Sequence, residues 1–538
     1  MALKLDYAAQ PYPSARSPLF ASRAVVATSQ PLAAQAGLQM LERGGNAVDA
    51  AIAAAAALTV VEPTSNGIGS DAFALVWDGA RLHGLNGSGR APAGLTPELV
   101  RGLGHETMPT RGWLAVTVPG APAAWRDLHR RFGRLRFAVL FEPAIAYAER
   151  GFPLSPVLAY YWQRGCEIHA AAAGAEYAGW AETFAAGGSA PRAGEIWRSL
   201  GHARTLSQIA ESEADAFYRG ELARAMVDFA ARTGGTLTAD DLAAHSSSWV
   251  DPISTTYRGY DVWEIPPNGQ GIAALIALNL LEHYELHTMR RESELAYHLQ
   301  IEAIKLAFAD AQRYVGDPER AAVPTAALLS TAYADERRKL IGERAGEPAP
   351  GDPLRGGTVY LCAADEDGMM VSFIQSNYMG FGGGIVVPGT GIALQNRGAG
   401  FSLQAGHPNE LAPGKRPFHT IIPAFLTQDG TPIGPFGVMG GHMQPQGHVQ
   451  MVLNTVDWGL NPQASLDAPR WYWDAGRTLL LERGVAAQIG DALRGRGHAV
   501  SVAPGAGMFG RGQIIWRMPN GAYVAGSDGR ADGAAVGY

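Results

Sequence analysis

Residues Gly356 to Tyr378 read GGTVYLCAADEDGMMVSFIQSNY. Two glycines give way at Thr358 to an apolar run over 359–364, a charged turn Asp365-Glu366-Asp367-Gly368, and a second apolar run over 369–374. Apolar runs on either side of a Gly-containing turn predict a β-hairpin with Thr358 at the head of its first strand. Taken alone, Thr358 is a β-former where a strand begins. It has a second reading. If the chain is cut between Gly357 and Thr358, the threonine carries a hydroxyl and a free α-amine with an unperturbed pKa of about 7.7–8.0, so one residue supplies both nucleophile and base.

The chain has 538 residues, 47% of them apolar and 17% charged. That is a globular composition and excludes bulk disorder. The length suits two to four domains or one large layered α/β unit. Forty-three basic against fifty acidic residues, with no basic block, argue against a nucleic-acid partner. Cys166 and Cys362 lie far apart and form no CxxC pair, so neither a disulfide framework nor a zinc site is expected; Cys362 reads as a buried strand thiol. The start MALKLDYAAQPYPSARS lacks an apolar signal core, and no window is long and apolar enough for a membrane span. The expectation is a cytoplasmic protein with no membrane partner.

Along the chain, residues 1–22 read as an irregular lead-in. A helix is expected over 31–43, closed by Gly44-Gly45, and a second, alanine-rich helix capped by Asn46 runs to about Val60 with Asp49 in its first turn. After TSNGIGSD at 64–71 comes a strand over 72–77. Between about 110 and 345 helices dominate, clearest at 126–131, 144–150, 222–232, 272–281 and 295–313. The stretch 341–355 reads as a Pro/Gly-rich linker. Beyond Thr358, strands are expected at 358–364, 369–375, 384–388, 391–395, 420–427, 432–438, near Val500 and at 513–517, with helices at 446–457 and 486–496. Neither TSNGIGSD nor GFGGGIVVPGTG at 380–391 fits a phosphate-binding glycine pattern. His407, His419, His442 and His448 lack metal-ligand spacing, so no metal and no cofactor are expected. Trp471, Tyr472 and Trp473 read as core or interface.

Eight segments in order carry a resemblance: RGGNAVDAAIAAAAALTVVEP at 43–63, VPGAPAAW at 118–125, PPNGQGIAAL at 266–275, EAIKLAFADAQRYVGDP at 302–318, the Thr358 stretch, GKRPFHTIIPAFL at 414–426, GVMGGHMQPQGHVQ at 437–450 and SDGRADGAAVGY at 527–538. Together they resemble the gamma-glutamyltranspeptidase family of N-terminal-nucleophile hydrolases. The resemblance implies a four-layer αββα sandwich and self-cleavage after Gly357 into parts 1–357 and 358–538, which stay together as a heterodimer and can oligomerise further. It also implies Thr358 as catalytic nucleophile, Ser376 as the hydroxyl bonded to it eighteen residues on, and Gly440 and Gly441 as oxyanion donors.

The acyl pocket departs from the family pattern. The family's carboxylate-binding arginine falls on Ser88, with Arg90 two residues later as the candidate replacement. Tyr378 stands where the family has Asn, Arg397 and Gly400 where it has Gln and Asp, and His419 and Thr420 where it has paired serines. His442 borders the same pocket. Without the Asp, a substrate α-ammonium has no partner, whereas an arginine at 397 suits an acyl carboxylate. LQNRG and MGGHMQPQGH resemble the subgroup holding oxamate amidohydrolases and cephalosporin-type acylases. The expected substrate is therefore a small-molecule amide with a small or dicarboxylic acyl group. A glutathione hydrolase or γ-glutamyltransferase is the alternative, a metal- or nucleotide-dependent enzyme finds no motif, and a non-catalytic binding protein is the different-class rival.

Overall fold

A computed structural model describes residues 15–347 and 357–538. The expectations for residues 1–14, for Gly356 and for the linker beyond Glu347 lie outside the described residues. The hairpin is present as Gly357–Ala364 and Met370–Tyr378. Its turn is closed by Asp365, whose Oδ1 accepts from the backbone N–H groups of Asp367 and Met369, while Gly368 takes φ +85°. Asp365 Oδ2 accepts from Ala47 N at 2.8 Å, at the start of the helix Ala47–Val61. A carboxylate there meets the positive end of the helix dipole, so the turn is fastened to a helix of distant sequence.

Strand pairing produces two seven-stranded sheets, antiparallel at every pairing. One runs Ala534–Gly537, Val25–Thr28, Gly357–Ala364, Met370–Tyr378, Asp71–Trp77, Leu82–Asn86, Ser248–Val250. The other runs Leu19–Ala21, Tyr523–Ser527, Arg511–Arg517, Thr431–Met439, Ala424–Gln428, Tyr260–Glu264, Ile253–Tyr257.

Side-chain alternation shows how these sheets are covered. Tyr360, Cys362 and Ala364 join Phe73, Leu75 and Ile374 of their own sheet and Phe425, Ile515 and Tyr523 of the other in one buried cluster, so the sheets pack face to face. Val359, Leu361 and Ala363 point the opposite way, into a cluster with Val48, Ile52 and Val60 of the alanine-rich helix. On the far side of the second sheet, Leu426, Phe436 and Ile514 meet Leu275 and Leu278 of Gly271–Leu281 and Ile304 and Phe308 of Glu294–Tyr314. The fold is thus mixed α/β, with two large antiparallel sheets and helices.

The helices expected from periodicity are found at Pro31–Glu42, Ala47–Val61, Ala121–Phe132, Glu142–Arg150, Glu221–Thr233, Gly271–Leu281 and Glu294–Tyr314. Asn46 forms a reciprocal capping box with Asp49. Trp471, Tyr472 and Trp473 are buried in the strand Trp471–Ala475, and Cys362 is fully buried. Two expected strands shrink to Val386–Val387 and Ile392–Ala393, because positive-φ glycines at 382, 384, 389 and 391 interrupt the extended backbone. Among the described residues no helix is long and apolar enough to cross a membrane.

A buried ion group ties the chain's last strands to the helix Pro462–Asp467. Asp528 accepts from Arg470 Nη2 at 2.7 Å, Gly512 N at 2.9 Å and Arg530 Nη1 at 3.1 Å. Burial opposes its charge, but the two guanidinium groups outweigh that and hold the carboxyl at about 2. Because this value lies below the unfolded one, the stabilisation is present above about pH 4 and is lost only as pH falls through about 2. Asp528→Ala strands two buried cations and is expected to cost about 3–5 kcal/mol, read as a lower denaturant midpoint at pH 7.

Candidate active site

Alternation aims Thr358, Ser376 and Asp71 at the space between the sheets, on the same face as Tyr360, Ile374 and Phe73. Ser376 stands opposite Asp71 in register. Ladder pairing of the hairpin shifts between Gly357, opposite Tyr378, and Val359, opposite Gln375. Thr358 therefore sits at a bulge, the kind of irregularity that re-aims a side chain. Tyr378, at φ +76°, carries the bend on the partner strand, a conformation costly for a residue with a Cβ.

The Thr358 hydroxyl donates to Ser376 Oγ at 3.1 Å, and Ser376 Oγ also accepts from Tyr378 N at 2.8 Å. Gln444 Nε2 reaches Thr358 Oγ at 3.4 Å, while Gln444 Oε1 accepts from Ile422 N at 3.0 Å. Gln444 lies in the first turn of Met443–Val456, which follows Gly440 and Gly441 at φ +132° and +61°. The Gly441 carbonyl is held by Gln270 Nε2 at 2.9 Å. Gln444 thus fastens the helix start and the Ile422 backbone to the Thr358 hydroxyl, while Gln270 holds the glycine pair. Gln444 and Gln270 were not singled out by sequence reasoning. The signal for Gln444 was its place three residues after Gly441, in a run whose glycines and histidines drew the attention.

The expected acyl-pocket residues gather around Arg397, which is 1% exposed. Its guanidinium lies over the Tyr378 ring at 4.6 Å, and Nη1 donates to Thr420 Oγ1 at 2.5 Å. Nε and Nη2, the side-on fork of the guanidinium, find no hydrogen-bond partner among the described residues. Burial lowers Arg397 to about 10, against the pull of Asp71, so it stays a cation at neutral pH. His442, the residue before Met443–Val456, is pushed down to about 4 by burial and by Arg397 and is neutral at pH 7.

His419 is held by Asp71, a residue the sequence reading passed over at the end of TSNGIGSD. His419 Nε2 donates to Asp71 Oδ2 at 3.1 Å, and Asp71 Oδ1 accepts from Gly89 N at 3.2 Å and Gly120 N at 3.1 Å. Burial raises the Asp71 carboxyl to about 7, with Arg397 and the two backbone donors restraining the rise. Burial, with Arg397 and Arg416, holds His419 well below its usual range, so the ring is neutral.

Arg90 is placed apart from this group. Its guanidinium is engaged by Glu319 at 2.8 and 2.9 Å, by the Gly414 carbonyl at 3.1 Å and by Asp317 at 3.5 Å. Ser88 Oγ, at the family's arginine position, donates to Asn86. Elsewhere, His298, Glu302 and His498 bring three donor atoms together. That cluster is closed by its own bonds: His298 Nδ1 meets His498 Nε2 at 2.9 Å, and the Lys305 ammonium sits on Glu302 Oε1 at 2.7 Å.

The gamma-glutamyltranspeptidase family model matches residues 33–538. The Glutathione hydrolase-like YwrD proenzyme of Bacillus subtilis is 37% identical over 527 residues, covering 96% of this chain and 98% of that protein. The Oxamate amidohydrolase proenzyme of Klebsiella pneumoniae is 35% identical over 94% of this chain and 97% of its own. Among solved structures, cephalosporin acylase from Bacillus halodurans superimposes with a TM-score of 0.96 at 56% identity, covering 100% of this chain and 99% of that one. The chain belongs to the gamma-glutamyltranspeptidase family, as an autoprocessed proenzyme hydrolase.

Proposed function

We propose that the chain cleaves itself between Gly357 and Thr358 into parts 1–357 and 358–538, held together as a heterodimer on a four-layer αββα N-terminal-nucleophile fold, and then hydrolyses an amide whose acyl half carries a carboxylate. In the precursor, the Thr358 oxygen attacks the Gly357 carbonyl carbon, the C–N bond breaks, and the chain passes through an ester on Thr358. Water opens that ester, leaving a carboxylate on Gly357 and a free amine on Thr358. In turnover the amine takes the hydroxyl proton, the oxygen attacks the substrate carbonyl, and the proton passes to the leaving amine. Ser376 orients the hydroxyl, and Gly440 and Gly441 receive the developing oxyanion. Water then releases the acid.

One observation carries the substrate class: the buried Arg397, braced by Thr420 and the Tyr378 face, keeps its side-on fork free of hydrogen-bond partners among the described residues. An arginine fork grips a carboxylate bidentately. His442 adds a neutral wall. The names of relatives that act on oxamate and on cephalosporins agree with this reading. A γ-glutamyl amide is the second reading, favoured by the glutathione hydrolase-like relative and by the carboxylate of Asp71 near Arg397. Against it, three of the four lone-pair positions on Asp71 are already taken. The test is a panel of amides on the cleaved enzyme. Glutaryl or oxamate amides are expected to turn over at least about tenfold faster than γ-glutamyl-p-nitroanilide, and the reverse order rejects the preferred class.

A further inference from the structure

We propose that Gln444 is a further catalytic residue: its side-chain N–H holds the Thr358 oxygen, leaving one lone pair for attack and steadying the same oxygen when it departs. The inference deepens the reading of Thr358 as the nucleophile and rests on it. A threonine hydroxyl has one proton and two lone pairs. The proton goes to Ser376 Oγ at 3.1 Å, and one lone pair faces Gln444 Nε2 at 3.4 Å. The other lone pair is left for a carbonyl carbon. The Gln444 contact is long, as catalytic hydrogen bonds often are before substrate fills a site.

Which end of the amide faces Thr358 is set by the surrounding bonds. Gln444 Oε1 accepts from Ile422 N at 3.0 Å, and a backbone N–H can only donate, so the amide oxygen is committed to Ile422 and the NH2 group faces Thr358. The side chain is fully buried in the first turn of Met443–Val456. A buried amide needs partners, and among the described residues Nε2 has the Thr358 hydroxyl as its partner. If packing were the only demand here, an apolar side chain would fill the place without the cost of desolvating an amide.

The Thr358 oxygen changes role during turnover. In acylation it attacks the substrate carbonyl and gives its proton to the α-amine. In deacylation water adds to the ester carbonyl while the amine takes a proton from that water. The bond from the acyl carbon to Oγ then breaks, its electron pair goes to Oγ, and the ammonium returns the proton there. An N–H aimed at Oγ stabilises the charge that gathers on it as the bond breaks. The ester formed in self-cleavage opens in the same way, so Gln444 serves processing and turnover alike.

Gln444→Glu separates this role from a structural one. Glutamate keeps the volume and an oxygen to accept from Ile422 N, but once ionised it has no proton to offer Thr358. At about pH 9, above the usual carboxylate range, Q444E is expected to cleave itself at least about tenfold more slowly than the parent. Once cleaved, it should show a kcat about 10- to 100-fold lower on the best amide of the panel, with KM within about threefold. Gln444→Met removes donor and acceptor together and is expected to lose as much in kcat. Parent-like kcat in Q444E beside a slow Q444M overturns the proposal, because the bond to Ile422 would then be what matters. Parent-like kcat in both variants, or a rise in KM alone, overturns it too. Where a variant stays uncleaved, its denaturant midpoint decides: a midpoint equal to that of uncleaved Thr358→Ala supports the donor role, and a collapsed one makes Gln444 a structural residue and overturns it. Activity retained in T358A would instead reject the nucleophile reading itself.

Discussion

Thr358→Ala is expected to remain a single chain of 538 residues and to show no amide hydrolysis above background. The substitution removes the oxygen that attacks Gly357, so no new amine forms, and the same atom is then missing for turnover. Losing a covalent nucleophile costs about a million-fold in kcat in hydrolases whose catalytic residues act as a unit. Two measurements check it: the migration of the purified protein after long incubation, and the initial rate on the best amide of the panel. Appearance of two fragments in T358A would place the cleavage elsewhere. The fold should survive, because the hydroxyl's partners, Ser376 and Gln444, keep the other hydrogen bonds that bind them to Tyr378 and Ile422. Thr358→Ser keeps the oxygen and is expected to process and to turn over at a reduced rate.

Arg397→Gln is the second large effect. It is expected to lower kcat/KM for carboxylate-bearing acyl amides by about 100- to 1,000-fold, within the range of about 2–5 kcal/mol for truncating one partner of a buried charge pair, while an uncharged acyl amide changes by less than about threefold. The loss should fall mainly on KM, because the contact is made before and during the chemical step alike. Stability should not suffer in proportion. The Arg397 guanidinium is a buried cation with one hydrogen bond among the described residues, to Thr420, so its removal also relieves a desolvation cost. An unchanged kcat/KM for glutaryl amides in R397Q would sink the carboxylate reading.

Much of the framework was legible because it obeys simple periods. The hairpin at 357–378 alternates cleanly, and the helices at 47–61 and 294–314 carry caps and apolar faces that mark them. The strands Val25–Thr28, Leu82–Asn86, Tyr523–Ser527 and Ala534–Gly537 were not foreseen. All four are short; Val25–Thr28 and Ala534–Gly537 pair across hundreds of residues, while Leu82–Asn86 and Tyr523–Ser527 close local hairpins with the strands just before them. At the site, Thr358, Ser376 and the glycine pair followed from the family register, and the structure brings Tyr378, Arg397, Thr420, His419 and His442 into one neighbourhood. Arg90 was the candidate replacement two residues after Ser88, but Glu319 and Asp317, remote in sequence, engage its guanidinium. Asp71 was missed because an acidic residue after Gly-Ser reads as turn chemistry. Only pairing with the Ser376 strand reveals it as an inward-facing buried group.

Each large sheet mixes strands from before and after the Gly357–Thr358 bond. Val25–Thr28 and Asp71–Trp77 flank the hairpin in one, and Leu19–Ala21 and Tyr260–Glu264 bracket later strands in the other. Severing that bond therefore leaves two polypeptides woven through common fabric, neither owning either large sheet whole. Separation would demand unpicking both weaves at once, so the products are expected to part only on global denaturation. Making the halves as independent translation products should yield insoluble material, because the pattern must be laid down while the thread is still whole.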